Sequence, residues 1–389
     1  MKFLPFFLCC LLLTGCAAES VPAGVTVPAQ TATAPTTAPM IPETTVQETK
    51  VTETTPIDPV RQMIADMSLE QRVGQLFLAR CNRETAAADV EKYHLGGLVL
   101  FGDDFEGQTI DSMKQTISAY QEAAEQPLLI AVDEEGGDVT RISRFPAFRK
   151  NRFDSLGNRY RQGGLEAVLT EEEEKCRLLS ELGINVNLGP VCDITLDPDA
   201  FMYARSLGQD AQTTAQVTAS IVNLLGAFQV GSVLKHFPGY GNNADTHTGI
   251  AIDSRPLSEL EGQDFVPFSA GIQAGCGAVM VGHIVSEALD TELPASLSPD
   301  AHRYLRENLG FSGVIITDDL VMQAISDQYG AGESAVMAVL AGNDLLCSTE
   351  YAVQYQAVLQ AVLDGRIDID VLNRAVRNVL EWKISLGLL

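Results

Sequence analysis

Positive charge is scarce in this chain. Its 389 residues hold 26 Lys and Arg against 51 Asp and Glu, a formal net charge of -25. So acidic a composition repels polyphosphate and excludes non-specific nucleic-acid binding, although it singles out no substrate. Cysteine is present but unpatterned. The eight thiols form no C-x-x-C pair and stand at no Cys/His metal spacing. That excludes a zinc-finger-type site and a disulfide framework, and neither metal nor cofactor is expected. No G-x-G-x-x-G follows the first strand-like run, which tells against a dinucleotide-binding sheet. Histidine is rare, five in all, and tryptophan occurs once, as Trp382. Apolar side chains are plentiful, at 46% of residues, enough for a sizeable core.

The N-terminus reads as an export signal. Lys2 supplies a positive start, and Phe3 to Leu13 is an apolar run broken by Pro5. The run is too short to span a bilayer as a mature helix. Leu13-Thr14-Gly15-Cys16 resembles a bacterial lipobox, in which cleavage precedes the cysteine and its thiol is lipidated. Residues 1–15 are therefore expected to be a lipoprotein signal peptide and Cys16 the lipidation site. The protein would then be extracytoplasmic and tied to the bacterial cell membrane by a lipid anchor only. Residues 16–57 are mostly Thr, Pro, Ala, Val and Glu, with no aromatic residue. Such a stretch cannot build a core and is expected to be an extended tether. Of the remaining cysteines, Cys276 and Cys347 lie in apolar runs and are expected to be buried thiols.

From residue 58 to 389 short apolar runs alternate with longer amphipathic ones. The candidate strands are Val73–Ala79, Gly97–Phe101, Leu128–Val132, Ile184–Leu188, Ser232–His236, Ala278–Gly282, Val314–Thr317 and Asp344–Cys347. Their unbroken hydrophobicity suits parallel strands covered on both faces. Helical patterns fall between them, such as Glu166–Leu182, Ala211–Phe228 and Leu257–Ala274. Eight βα units of this size predict an α/β fold, a single (β/α)8 TIM-type barrel. A doubly wound open sheet is the alternative.

In such a barrel the site lies where the strands end. Asp133 closes the run LLIAVD, Lys235 and His236 close SVLKHF, His283 closes VMVGH, and Asp318 closes VIITD. Any one of these could be a residue leaving the core, but four strand ends with ionisable residues on one face point to a site. The loop from Lys235 to His247 holds two glycines and a proline, so it can fold back over that face. Asp245 and His247 stand two apart within it. A carboxylate beside an imidazole can fix its tautomer and stabilise its charged form, which suits a general acid/base.

Three motifs now carry a resemblance. KHFPGxG followed by D-x-H, VDEEGGxVxR at Val132–Arg141 and TDDL at Thr317–Leu320 resemble family 3 glycoside hydrolases, in particular the single-domain bacterial β-N-acetylglucosaminidase branch. ARSLG at Ala204–Gly208, NLGPVCD at Asn187–Asp193 and PASLSP at Pro294–Pro299 support it. The resemblance runs in order from about Pro59 to Leu389. It implies a retaining exo-β-N-acetylglucosaminidase, EC 3.2.1.52, with Asp318 as the nucleophile that forms a glycosyl-enzyme. It implies His247 as proton donor and base, with Asp245 as its partner. Asp133, Arg141, Arg205, Lys235 and His236 would hold the terminal sugar's hydroxyls. The implied substrates are GlcNAc-terminated oligosaccharides or muropeptides from peptidoglycan. Two-domain relatives usually take a carboxylate acid/base from a later domain; here D-T-H implies a local one.

The motifs depart from the family's at Tyr240, where KHFPGHG has histidine, at Asp138, where EGGRV has arginine, and at Asn242 and Asn243. Two other readings remain: a β-N-acetylglucosaminide phosphorylase, since a neutral histidine repels phosphate less than a carboxylate would, and a non-catalytic sugar-binding lipoprotein. The anchor can be tested directly. Cys16→Ala should release the protein into the medium or leave the signal uncut, and unchanged membrane fractionation would exclude lipidation.

Overall fold

The computed structural model describes residues 58–389 apart from Ala244, His247 and Thr248. The expected signal, Cys16, the tether and His247 lie outside the described residues. In chain order the strands are β1 (Phe77–Arg80), β2 (Gly97–Leu100), β3 (Leu129–Val132), β4 (Val186–Asn187), β5 (Gly231–Phe237), β6 (Ala251–Asp253), β7 (Ala278–Val281), β8 (Ile284–Ser286), β9 (Val314–Thr317) and β10 (Leu346–Ser348). Eight of them form one parallel sheet in the order β10-β1-β2-β3-β4-β5-β7-β9. The two ends meet in a parallel bridge between Ile316 and Leu345, where the Thr317 amide donates to the Leu345 carbonyl at 3.1 Å. The sheet is thus a (β/α)8 barrel, as predicted, and each of the eight candidate strands supplies one stave.

Alternation along each strand explains the continuous apolar runs. In β2, Val99 packs inside the barrel with Leu78, Leu129, Val186 and Met280, while Leu98 and Leu100 pack outward with the helices. Successive side chains point to opposite faces, and here both faces are dry. The single tryptophan belongs to the inner cluster although it sits on the last helix, Ile369–Ser385. Glycine makes room for it. A Cβ on Gly277 would come within 2.0 Å of the Trp382 indole nitrogen, and one on Gly231 within 2.8 Å of its ring. Trp382 therefore closes the end of the barrel where β5 and β7 begin.

Some boundaries differ from expectation, each for a local reason. Val73 and Gly74 belong to a helix, Leu69–Gly74, whose start is held by a capping box between Ser68 and Gln71, so β1 begins later. The run Leu257–Ala274 splits into Leu257–Gly262 and Phe265–Gln273, because Asp264 turns inward to meet Arg255 at 2.7 Å. The helix before β4 starts earlier, at Leu156, and is kinked by non-helical Gly163 and Gly164. The short parallel pair β6 and β8 was not foreseen.

Next to Trp382, Lys383 is fully buried and donates to the Gln75 side-chain oxygen at 2.7 Å. Burial pushes its ammonium down from 10.5 to about 7. Between those values the unfolded chain binds the extra proton, so this residue makes stability rise with pH across that window. Lys383→Met should remove the slope. The gain of the variant over the wild type in calorimetric melting should be largest near pH 7 and shrink towards pH 10, by up to about 1.4 kcal/mol per pH unit. A difference independent of pH would show that Lys383 is charged in the fold.

Candidate active site

The ends of the staves converge on one cavity of about 650 Å³, lined by Asp133, Arg141, Arg205, Lys235, His236 and Asp318 together with Phe101 and Tyr240. Asp133 follows β3 directly and Asp318 follows β9. In the sheet order β9 lies four places from β3, across the barrel. Lys235 and His236 are consecutive in β5, yet both line the cavity. The register of β5 against β7 shifts between Leu234 and Phe237, an irregularity of the kind that re-aims side chains beside sites. The peptide joining them is cis.

Arg141 returns to the site because the chain turns sharply after β3. Gly136 and Gly137 adopt φ of 108° and 62°, values that glycine reaches without strain. A Cβ at Gly136 would lie 1.9 Å from the Asp154 carbonyl. The buried Glu134 carboxylate then accepts from the amides of Arg141, Ile142 and Ser143 at 2.8, 2.7 and 3.2 Å, which locks the returning strand. The Arg141 guanidinium comes 3.5 Å from Asp133 and lies over the Phe101 ring at 5.1 Å.

An ion cluster forms part of the cavity wall. The Lys235 ammonium is 2.7 Å from Asp133 and 2.6 Å from Glu135. Arg205 grips Glu135 with two parallel bonds of 2.9 and 2.7 Å, the fork geometry that makes guanidinium–carboxylate pairs strong. Burial alone would push the Glu135 carboxyl up, but Lys235 and Arg205 hold it well below the usual carboxylate range. Burial would likewise lower the Lys235 ammonium, and Asp133 and Glu135 keep it above its ordinary value. Glu135, Lys235 and Arg205 therefore carry charge at neutral pH.

Asp193 organises the opposite flank. Its carboxylate meets His236 Nδ1 at 2.8 Å and accepts from the amides of His236 and Tyr240 at 3.1 and 2.8 Å. Arg205 approaches His236 Nε2 at 3.3 Å. A guanidinium has no acceptor atom, so Nε2 accepts and Nδ1–H donates to Asp193.

The adjacent Asp318 and Asp319 have different surroundings. Asp319 is committed to the β10 loop, accepting from the Thr349 amide at 3.1 Å, the Thr349 hydroxyl at 2.5 Å and the Val321 amide at 3.2 Å. The Asp318 carboxylate accepts from the Asp319 amide at 2.8 Å, and both aspartates border the cavity. His283 is fully buried, between the Ser296 hydroxyl at 2.7 Å and the Asp319 carbonyl at 3.0 Å, and does not line it. Asp245 is half-buried on the loop after β5 and is not among the residues lining the cavity either. The described cysteines are buried free thiols, and no described helix is long and apolar enough to cross a membrane.

Residues 68–382 match the glycosyl hydrolase family 3 N-terminal domain, and the chain belongs to that family. It is similar to the β-hexosaminidase LpqI of Mycobacterium tuberculosis, 32% identical over 309 residues that take in 77% of this chain and 78% of the relative. A β-hexosaminidase of Stenotrophomonas maltophilia is 37% identical over 290 residues, 70% of this chain and 83% of its own. A family 3 β-N-acetylglucosaminidase from Paenibacillus sp. str. FPU-7 superposes with a TM-score of 0.77 at 31% identity, over 83% of this chain and 63% of that one.

Glu135, Asp193 and Tyr240 escaped assignment from sequence. Glu135 follows Asp133 in the DEEGG run, but its partners Arg205 and Lys235 come from distant segments, so the run alone carries no signal for it. Its removal gives a test. Glu135→Gln keeps the shape and leaves Lys235 and Arg205 sharing Asp133. Breaking a buried pair in this way costs about 3–5 kcal/mol, so the denaturant midpoint should fall accordingly. A loss below about 0.5 kcal/mol, the size of an ordinary surface substitution, would show that the cluster is not a support.

Proposed function

We propose that this family 3 glycoside hydrolase is a retaining, exo-acting β-N-acetylhexosaminidase that removes terminal β-linked GlcNAc. The observation that carries the mechanism is the contrast between the two adjacent aspartates, both of which border the cavity: the Asp319 carboxylate is taken up by the Thr349 amide and hydroxyl, whereas Asp318, at the end of β9, stands across the barrel from Asp133. The substrate class rests on similarity to the β-hexosaminidases and the β-N-acetylglucosaminidase described above.

The chemistry then follows from charge. Asp133, Arg141 and Lys235 hold the non-reducing sugar by charge-assisted bonds to its hydroxyls, and His236, whose two ring nitrogens are engaged by Asp193 and Arg205, packs beside them. Arg205, already doubly bonded to Glu135, contributes chiefly by holding that carboxylate and His236. Asp318 attacks the anomeric carbon as His247, oriented by Asp245, gives its proton to the leaving oxygen. A glycosyl ester on Asp318 results. His247 then takes a proton from water, which attacks the same carbon and frees Asp318, so configuration is retained. With a lipid on Cys16 and a tether, the enzyme would work outside the cytoplasmic membrane, where peptidoglycan fragments are the GlcNAc-ended substrates at hand.

Asp318→Asn should lower turnover by several orders of magnitude without preventing folding, and a fluorinated substrate analogue should label the peptide containing Asp318. His247→Ala should damage cleavage of a GlcNAc disaccharide far more than that of a dinitrophenyl glycoside, whose leaving group departs without a proton. In that variant azide, which needs no base, should speed turnover and give a β-glycosyl azide. Labelling at Asp319, or equal losses on both substrates with no azide effect, would overturn these roles.

A further inference from the structure

Tyr240 is one of the positions where the chain departs from the family motif, and the structure gives it a specific contact. Its hydroxyl meets the Thr246 hydroxyl at 2.5 Å. Both residues are buried, Tyr240 at 2% and Thr246 at 0% exposure, so neither oxygen has ready access to water as a substitute partner. Tyr240 is fixed at its other end as well. Its amide donates to Asp193, the carboxylate that also holds His236, and its ring stands edge-on to the His236 ring at 5.3 Å and 86°. Its carbonyl accepts from the Asn243 amide and side chain, each at 3.0 Å. A continuous line of contacts thus runs from the sugar-binding floor, through Asp193 and Tyr240, to Thr246. In the chain Thr246 lies between Asp245 and His247.

We propose that the Tyr240–Thr246 hydroxyl pair is a positioning latch that ties the loop carrying the acid/base to the sugar-binding floor. The proposal rests on the assignment of His247 as acid/base. Tyr240 and Thr246 are positioning residues and move no proton to the substrate. Burial and the nearby Asp318 charge push the Tyr240 phenol above its ordinary range, so the latch stays protonated wherever the enzyme works. General acid catalysis depends on placing the donor within hydrogen-bond reach of the leaving oxygen. A loop tied one peptide bond from that donor therefore affects proton delivery before it affects binding of the sugar.

The test uses the full chain with Tyr240→Phe, Thr246→Val, Thr246→Ser, the Phe/Val double variant and His247→Ala. It compares kcat/KM, which reports glycosylation, for a GlcNAc disaccharide and for the dinitrophenyl glycoside, with a thermal melt for each variant. Losing one hydrogen bond predicts a loss of roughly tenfold on the disaccharide for Tyr240→Phe and for Thr246→Val. The dinitrophenyl glycoside should stay within about twofold, because it needs no proton. Thr246→Ser restores the hydroxyl and should behave as wild type. The double variant should be no worse than either single one, since the two hydroxyls make one bond. Equal losses on both substrates, or additive losses, would make the pair a general packing contact and overturn the latch, as would no loss at all. If His247→Ala is selective and the latch variants are not, the latch alone falls. If His247→Ala shows no selectivity, both the acid/base assignment and the latch fall.

Discussion

Everything at the mouth of this barrel depends on holding opposite charges together at the edge of a dry core. Asp133, Glu135, Lys235 and Arg205 sit together at the strand ends, two of each sign, with Lys235 almost wholly buried. Any one of them alone would be expelled or neutralised by the cost of desolvation. Together they satisfy one another, and the geometry that does so is narrow. Lys235 must reach two carboxylates at once and Arg205 must face Glu135 squarely. The groups that line the cavity are therefore held in place before any sugar arrives. Pre-organisation of this kind spares a ligand the cost of ordering its own partners.

The cluster requires a particular backbone. Its members come from the turn after β3, the loop after β4 and the strand β5, three neighbouring staves of a closed sheet. A closed barrel fixes the spacing of those ends through the parallel ladder. The dry interior below them, from Leu78 to Trp382, removes water from one side. The glycines at 231 and 277 that admit Trp382 serve the site indirectly, because they let the opposite end of the barrel close. The charged end and the sealed end thus depend on the same sheet.

The barrel was legible because its signal is local. A buried parallel strand must be apolar throughout, and eight such runs at βα spacing leave few architectures. The strand-end residues were legible for the same reason: Asp133, Lys235, His236 and Asp318 each interrupt an apolar run where that run leaves the core. Contacts formed between distant segments could not be read. Asp193 lies 43 residues from the His236 ring it orients, and nothing in NLGPVCD says which imidazole it will meet. The helix break at Asp264 depends on Arg255 turning inward, and the pair β6 and β8 is three residues long on each side, too short to show a period. His283 interrupts a run just as Asp133 does, yet its ring is taken up by Ser296 and the Asp319 carbonyl. A strand-end position marks a residue as a candidate; its partners decide whether it faces the cavity.

The two halves of the proposed chemistry rest on supports of different kinds. Asp318 follows a stave of the barrel and is placed by the ladder itself, its amide bonded to the Val281 carbonyl at 3.0 Å. A nucleophile gains from that rigidity, because its attack path is short and directional. Asp245 lies instead on the loop after β5, outside the strands of the barrel, and His247 stands two positions further along the chain. A loop can approach the leaving oxygen from outside the barrel, which a strand end cannot, but it has to be fastened by side chains. Thr195 to Asn242 at 2.8 Å, Arg255 to the Gly239 carbonyl at 3.4 Å and Tyr240 to Thr246 are such fastenings, and each uses residues outside the catalytic pair. The loop departures at Tyr240 and Asn242 therefore fall on the parts that anchor the loop, while Asp245 and His247 follow the family pattern.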